Sequence, residues 1–160
     1  MSVASTKAFY TQLTVGALLS IYLGYQTNYL DKHKVNAGLK QLVRLPELMS
    51  RVLDLSDDIR QVAYEHAATR RYWAVVGSGN NQIAAHEIRI KLSELCYKSM
   101  SCDTIEDKKH IDLSAEPLMI VCAAGLDDVN LSDTVKEVAI FKAHESLPIV
   151  IASKGAKLFV

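Results

Sequence analysis

The chain carries no excess charge of either sign: 18 basic and 18 acidic side chains cancel among its 160 residues. Without a net field there is no electrostatic footprint to draw nucleic acid or an anionic membrane surface, so neither partner is expected. Cysteine is scarce. Cys96, Cys102 and Cys122 are an odd number with no CxxC spacing, which argues against a disulfide framework or a thiolate zinc site and points to a reduced, cytoplasmic compartment. His33, His66 and His144 form no ligand-spaced pair on a shared helical face, so no metal is expected. Long hydrophobic runs are missing too. The richest stretch, Phe9 to Tyr25, is shorter than a membrane span and is interrupted by Gln12, Thr11, Thr14 and Ser20; it also lacks the basic start and small-residue cleavage pattern of a secretory signal. It reads as a helix for burial against protein. Internal repeats, low-complexity segments and long flexible linkers are absent as well.

What is present is a chain with 49% hydrophobic residues, enough for one compact domain. Its N-terminal part, residues 1–70, reads as helix throughout. Phe9, Leu13, Val15, Leu18, Leu19 and Leu23 recur at helical spacing, with Ser5 and Thr6 placed to cap the run. Further helices are expected from about Gly38 to Val52, with Pro46 near a break, and from about Ser56 to Thr69. Residues 71–160 change character. Tyr72-Trp73-Ala74-Val75-Val76 is a continuous apolar run closed by the turn residues Gly77-Ser78-Gly79-Asn80-Asn81, and reads as a buried strand. A helix from Gln82 to about Ser99, a short strand near Ser101 to Ile105, a charged loop, a strand Leu118 to Ala123, a helix from about Ser132 to His144 and a strand Pro148 to Ala152 follow. Alternating apolar strands and helices imply an α/β fold, a three-layer α-β-α sandwich around a parallel sheet, preceded by a helical segment. Lys157-Leu158-Phe159-Val160 reads as the start of another strand, so the sequence reads as part of a longer protein.

The helix beginning at Gln82 carries the most informative pattern. At about 100° per residue from Ile83, the polar residues His86, Arg89, Ser93 and Tyr97 fall between roughly 240° and 320°, the side expected to face water. Glu87, Lys91 and Glu94 fall between roughly 20° and 80°, flanked by Ile83 and Ile90 on one side and Ala84, Ile88 and Leu95 on the other. Three charges thus interrupt what reads as an apolar face. A surface Glu–Lys pair is the plain alternative. A Glu–Lys–Glu cluster in a cleft suits aldose–ketose chemistry, in which a carboxylate shuttles a carbon-bound proton and a cation stabilises an enediolate oxygen.

Two further segments are candidates. The run Glu106-Asp107-Lys108-Lys109-His110-Ile111-Asp112 is expected in a loop; most such runs are simply solvated, while a histidine there is available for acid–base work. The Gly77 to Asn81 turn precedes a helix N-terminus and is open to two readings, an anion site or a plain tight turn; its spacing is not that of a dinucleotide fingerprint or P-loop.

Val3-Ala4-Ser5-Thr6-Lys7-Ala8-Phe9 followed by Thr11-Gln12-Leu13 resembles the segment that links the two sugar-isomerase (SIS) halves in glutamine-dependent glucosamine-6-phosphate synthases, the glutamine–fructose-6-phosphate aminotransferases. Val76-Gly77-Ser78-Gly79 and Ile83-Ala84 are similar to that family's strand-turn-helix. Glu87, Lys91 and Glu94 fall on its E-x-x-x-K-x-x-E pattern, and Lys109-His110 reproduces its Lys-His pair at the family's spacing from Glu94. The resemblance covers nearly the whole chain and implies an SIS-type fold that binds a phosphosugar, fructose 6-phosphate or glucosamine 6-phosphate, between two similar halves, with no cofactor. It implies that Glu94 moves a proton between C2 and C1, that Lys91 supports the enediol and that Glu87 holds Lys91. It further implies that His110 assists ring opening from a neighbouring subunit, hence a homodimer, and that Val3 and Ser5 line the sugar site.

The chain departs from the family in places. Ile111-Asp112 stands where the family has Gly-Pro, Ser93 where it has a lysine, and Glu106-Asp107 where it has Gly-Glu. No glutaminase-like stretch with an N-terminal catalytic cysteine is found, and neither is the first isomerase half with its phosphate-gripping Ser/Thr loop. The chain therefore reads as the second half of an SIS module whose catalytic machinery is incomplete by itself. The alternative reading is a phosphosugar-binding regulatory module of the same fold that has lost catalysis. An oligomerisation unit built on the apolar N-terminal helix is a third.

Overall fold

The computed structural model describes residues 5–111 and 117–156. The chain divides into two compact units, Met1–Gln61 and Val62–Val160.

The N-terminal unit is helical. Helix α1 (Lys7–Gln26) ends in a turn in which Leu30 N–H donates to the Gly24 carbonyl at 2.8 Å and Asn28 adopts φ 58°. Thr6 precedes α1 but gives no side-chain cap, contrary to the capping expected of Ser5 and Thr6; Thr6 is itself in a helical conformation, which turns its hydroxyl away from the free N–H groups. Helix α2 (Lys32–Leu53) is capped by Asp31, whose carboxylate accepts from Lys34 N–H at 2.8 Å. This helix runs straight through Pro46 instead of breaking there. A proline removes one backbone bond, and the good helix formers on both sides, Lys40, Gln41, Leu42, Glu47, Leu48 and Met49, carry the helix across. A Cβ on Gly38 would lie 3.0 Å from Ile21 Cδ1, so the two helices pack closely at that point. Helix α3 (Ser56–His66) follows; α1, α2 and α3 contain no buried residue.

The second unit holds a four-stranded, all-parallel sheet in the order β2-β1-β3-β4, built from β1 (Trp73–Gly77), β2 (Met100–Asp103), β3 (Leu118–Ala123) and β4 (Leu147–Ala152). Helix α4 (Asn80–Cys96) connects β1 to β2, α5 (Ile105–Ile111) follows β2, and α6 (Asp128–Ala143) connects β3 to β4. Successive strand residues point to opposite faces. On one face Val75, Ile120 and Cys122 pack with Ala85, Ile88 and Leu92 of α4; on the other, Val76, Met119 and Val121 pack with Ile105 of α5 and Val138 and Phe141 of α6. Both faces are covered, so β1 and β3 are apolar at every position, as a parallel sheet requires. This is the expected three-layer sandwich.

Local signals explain where the boundaries differ from expectation. The charged run at 105–111 is a helix, not a loop. Thr104 and Asp107 form a reciprocal cap: Asp107 N–H donates to Thr104 Oγ1 at 3.0 Å and Thr104 Oγ1 donates to Asp107 Oδ2 at 2.7 Å. Helix α6 starts at Asp128, earlier than Ser132, because the Asp127 carboxylate accepts from Asn130 N–H at 2.9 Å. The strand expected at residues 157–160 lies outside the described residues.

Candidate functional site

Lys91 sits between two carboxylates on α4. Its Nζ is 3.2 Å from Glu87 Oε1 and 3.5 Å from Glu94 Oε2, and the three side chains retain 20%, 21% and 37% of their exposure in the order Lys91, Glu87, Glu94. The spacing makes this possible, because residues three and four apart stand one above another on a helix. The triad is therefore assembled, half-buried and still accessible.

Its position on α4 differs from the sequence expectation. The core face of α4 is Ala85, Ile88 and Leu92, while Ile83, Ile90 and Leu95 are 57%, 37% and 62% exposed. The three charges thus lie on the side turned away from the sheet. Of the residues expected toward water, Tyr97 and His86 are exposed but Arg89 and Ser93 are half-buried. The reason is that α4 is apolar on both sides, so its pattern alone could not select the face that packs on β1. A consequence is that Glu87, Lys91 and Glu94 are bordered by exposed isoleucines and face outward from the sheet.

His110 lies on α5, in the layer across the sheet from α4. Its ring is 68% exposed, with Nε2 3.9 Å from Glu106 Oε1. One chain therefore does not bring His110 to the triad. Ser5 is exposed and belongs to the N-terminal unit; Val3 lies outside the described residues.

A cleft of about 610 Å³ opens at the carboxyl ends of β1 and β3 and includes Ser78, Gly79, Asn81 and Gly125 in its lining. This is where strand order reverses, the usual ligand crevice of open α/β sheets. Glu106, Asp127, Asp133 and Glu137 also line it, and among the described residues no lysine or arginine does, so a phosphate would meet unfavourable charge from these side chains. The Gly77 to Asn81 segment behaves as a tight turn: Asn81 and Gln82 N–H donate to the Ser78 and Gly79 carbonyls at 3.1 Å each. A Cβ on Gly77 would collide with the Asn81 carbonyl, and Gly79 takes φ 57°. The Asn81 side chain donates to the Ala124 carbonyl at 2.9 Å and ties the turn to β3.

The remaining reactive groups are quiet. Burial pushes the Cys122 thiol up to about 11 and raises that of Cys102; Cys96 is exposed. Among the described residues no group of three His, Cys, Asp or Glu side chains is placed to hold a metal, and no helix is long and apolar enough to cross a membrane. Sequence reasoning missed one buried charge, Lys108, which is 0% exposed. Its place in a charged run gave no sign of burial.

The parallel sheet with helices on both faces defines the class, a three-layer α/β sandwich, and one of its helices carries the assembled Glu–Lys–Glu triad. No family model matches the chain. The C-terminal domain of glucosamine-fructose-6-phosphate aminotransferase from Francisella tularensis superposes with a TM-score of 0.89 at 24% identity, over 99% of this chain and 44% of that one. Glutamine–fructose-6-phosphate aminotransferases (isomerizing) of Vibrio vulnificus, Symbiobacterium thermophilum and Idiomarina loihiensis are 30%, 30% and 29% identical over 98%, 97% and 98% of this chain. The chain is thus similar to part of the glutamine–fructose-6-phosphate aminotransferases, and it spans 26% of the length of each of these relatives.

Proposed function

We propose that the chain supplies the second half of a sugar-isomerase module in an enzyme that makes glucosamine 6-phosphate from fructose 6-phosphate and glutamine. The observation that carries this reading is Lys91 held between Glu87 and Glu94 at 3.2 and 3.5 Å on an accessible helix face. In the proposed step the Glu94 carboxylate takes a proton from C1 of the open-chain sugar. Glutamine-derived ammonia has by then condensed with the C2 carbonyl, releasing water, to leave a C2 imine. The C1–H electron pair forms the C1–C2 double bond as the imine electrons move to nitrogen. The same proton is delivered to C2 while the C1 hydroxyl proton passes to nitrogen, leaving the C1 aldehyde and C2 amine of glucosamine 6-phosphate. The Lys91 ammonium stabilises the negative charge that develops on oxygen, and Glu87 holds Lys91 in place. His110 assists ring opening, and its place in the layer opposite α4 supports delivery from a neighbouring subunit. A homodimer follows from that reading. The resemblance also assigns Val3 and Ser5 to sugar binding.

The acid-lined cleft at β1 and β3 supports the same division of labour, since it is a poor phosphate site and leaves that task to another half of the module. The second reading, a regulatory module that binds phosphosugar without turning it over, draws on Ile111-Asp112 in place of Gly-Pro, beside His110. Calorimetric titration of fructose 6-phosphate into the full-length polypeptide, with and without Glu94→Gln, tests the binding part: both should bind. Failure of the unmodified protein to bind the sugar phosphate would sink both readings.

A further inference from the structure

Lys108 is used by no step above, yet its side chain is fully buried, at 0% exposure. Lysine is almost never found so deep unless its amine is satisfied. Here Nζ donates to Ser101 Oγ at 2.9 Å, tying α5 to strand β2. Two further bonds hold the same short helix. Ile105 N–H donates to Ser78 Oγ at 3.2 Å, linking α5 to the β1–α4 turn, and Thr104 with Asp107 closes its first turn. Ile105, 4% exposed, packs with Val76 beneath it.

These contacts set the rotation of α5 about its own axis. Residues two apart on a helix differ by about 200°, so a helix that turns Lys108 inward must turn Glu106 and His110 outward. Their side chains are 66% and 68% exposed. A seven-residue helix has little intrinsic stability, so its tertiary anchors decide which side His110 faces, and Lys108 is the anchor nearest to it.

We infer that Lys108 is a positioning residue: by bonding Ser101 it fixes the docking and rotation of α5 so that His110 is presented outward toward a second subunit. This rests on the role proposed for His110. Lys108→Met keeps the length and apolar stem of the side chain and removes the amine; Ser101→Ala removes the strand hydroxyl that the amine bonds and serves if the first variant does not fold. In hydrogen-exchange mass spectrometry of the full-length protein, protection of residues 105–111 should fall about tenfold or more in each variant, while β1 and β3 keep theirs. Lys108→Met should lower kcat for sugar proton exchange by about tenfold at unchanged KM, and should lower it no further when His110→Ala is already present. Unchanged protection of α5 in both variants would overturn the inference, as would an equal loss of kcat with and without His110. Loosening of α5 combined with full activity of His110→Ala would leave the anchoring established and overturn the purpose assigned to it, along with the role given to His110.

Discussion

The Lys91 amine lies 3.2 Å from the Glu87 carboxylate one turn earlier on α4, with both side chains about four-fifths buried. In the proposed mechanism that pair sets where the cation stands relative to Glu94; for stability, partly exposed pairs of this kind contribute at most about 1 kcal/mol. Lys91→Met should therefore leave the thermal midpoint nearly unchanged. It should reduce sugar proton exchange by about 10²-fold or more, whereas Glu87→Gln, which only loosens the lysine, should give a smaller loss, up to about 10²-fold. A large drop in melting temperature with either variant would assign the triad to the fold instead.

The core makes a separate prediction. Phe141 is 3% exposed and packs with Val121 and Val76 on one face of the sheet. Phe141→Ala should cost about 3–5 kcal/mol in denaturant unfolding. A loss below about 1 kcal/mol would mean that α6 does not pack on the sheet as described.

Gly77 ends β1 where no side chain fits, because a Cβ would strike the Asn81 carbonyl backbone. Gly77→Ala should push the turn away from β3, lower the melting temperature and expose the Ala124 carbonyl region to exchange. An unchanged melting temperature would contradict the close approach.

The cap of α6 predicts a pH dependence. The backbone N–H of Asn130 and the Asn130 side chain hold the Asp127 carboxyl below its ordinary value of 3.8. A depressed folded-state value stabilises the fold above the unfolded value and loses that contribution as pH falls through the folded one. The stability gap between the unmodified protein and Asp127→Ala should be constant from pH 5 to 7 and should narrow below about pH 4. A gap that widens in acid would contradict the cap.

Cysteine reactivity follows from burial. With the Cys122 thiol pushed up to about 11 and Cys102 also raised, iodoacetamide at neutral pH should modify exposed Cys96 first and leave Cys122 unmodified until the chain unfolds. Mass spectrometry of the labelled peptides gives the order.

Much of the second unit was legible in its residues. The apolar runs at Val75 and Val121 could only be strands buried on both faces, and the turn at Gly77 and Gly79 ended the first of them. What escaped sequence reasoning depended on direction or on small caps. Helix α4 has Ile83 and Ile90 on one side and Ile88 and Leu92 on the other, so only the sheet could decide which side packs. The Thr104–Asp107 and Asp127–Asn130 caps are written in the sequence, but the charge around them masks the helical pattern of α5 and the true start of α6. The Glu87, Lys91 and Glu94 grouping was legible because helical spacing alone brings them together. His110 was singled out only by the resemblance, because no local pattern encodes which layer of the sandwich holds it.

The central claim is that Glu94 moves a carbon-bound proton. The direct measurement is solvent deuterium incorporation at C1 and C2 of fructose 6-phosphate and glucosamine 6-phosphate, followed by NMR with the full-length polypeptide and its Glu94→Gln variant side by side. Deuterium should enter the sugar with the unmodified protein and should be reduced by about 10²-fold or more in the variant. Equal incorporation in both, or binding of the sugar without incorporation in either, would contradict the account.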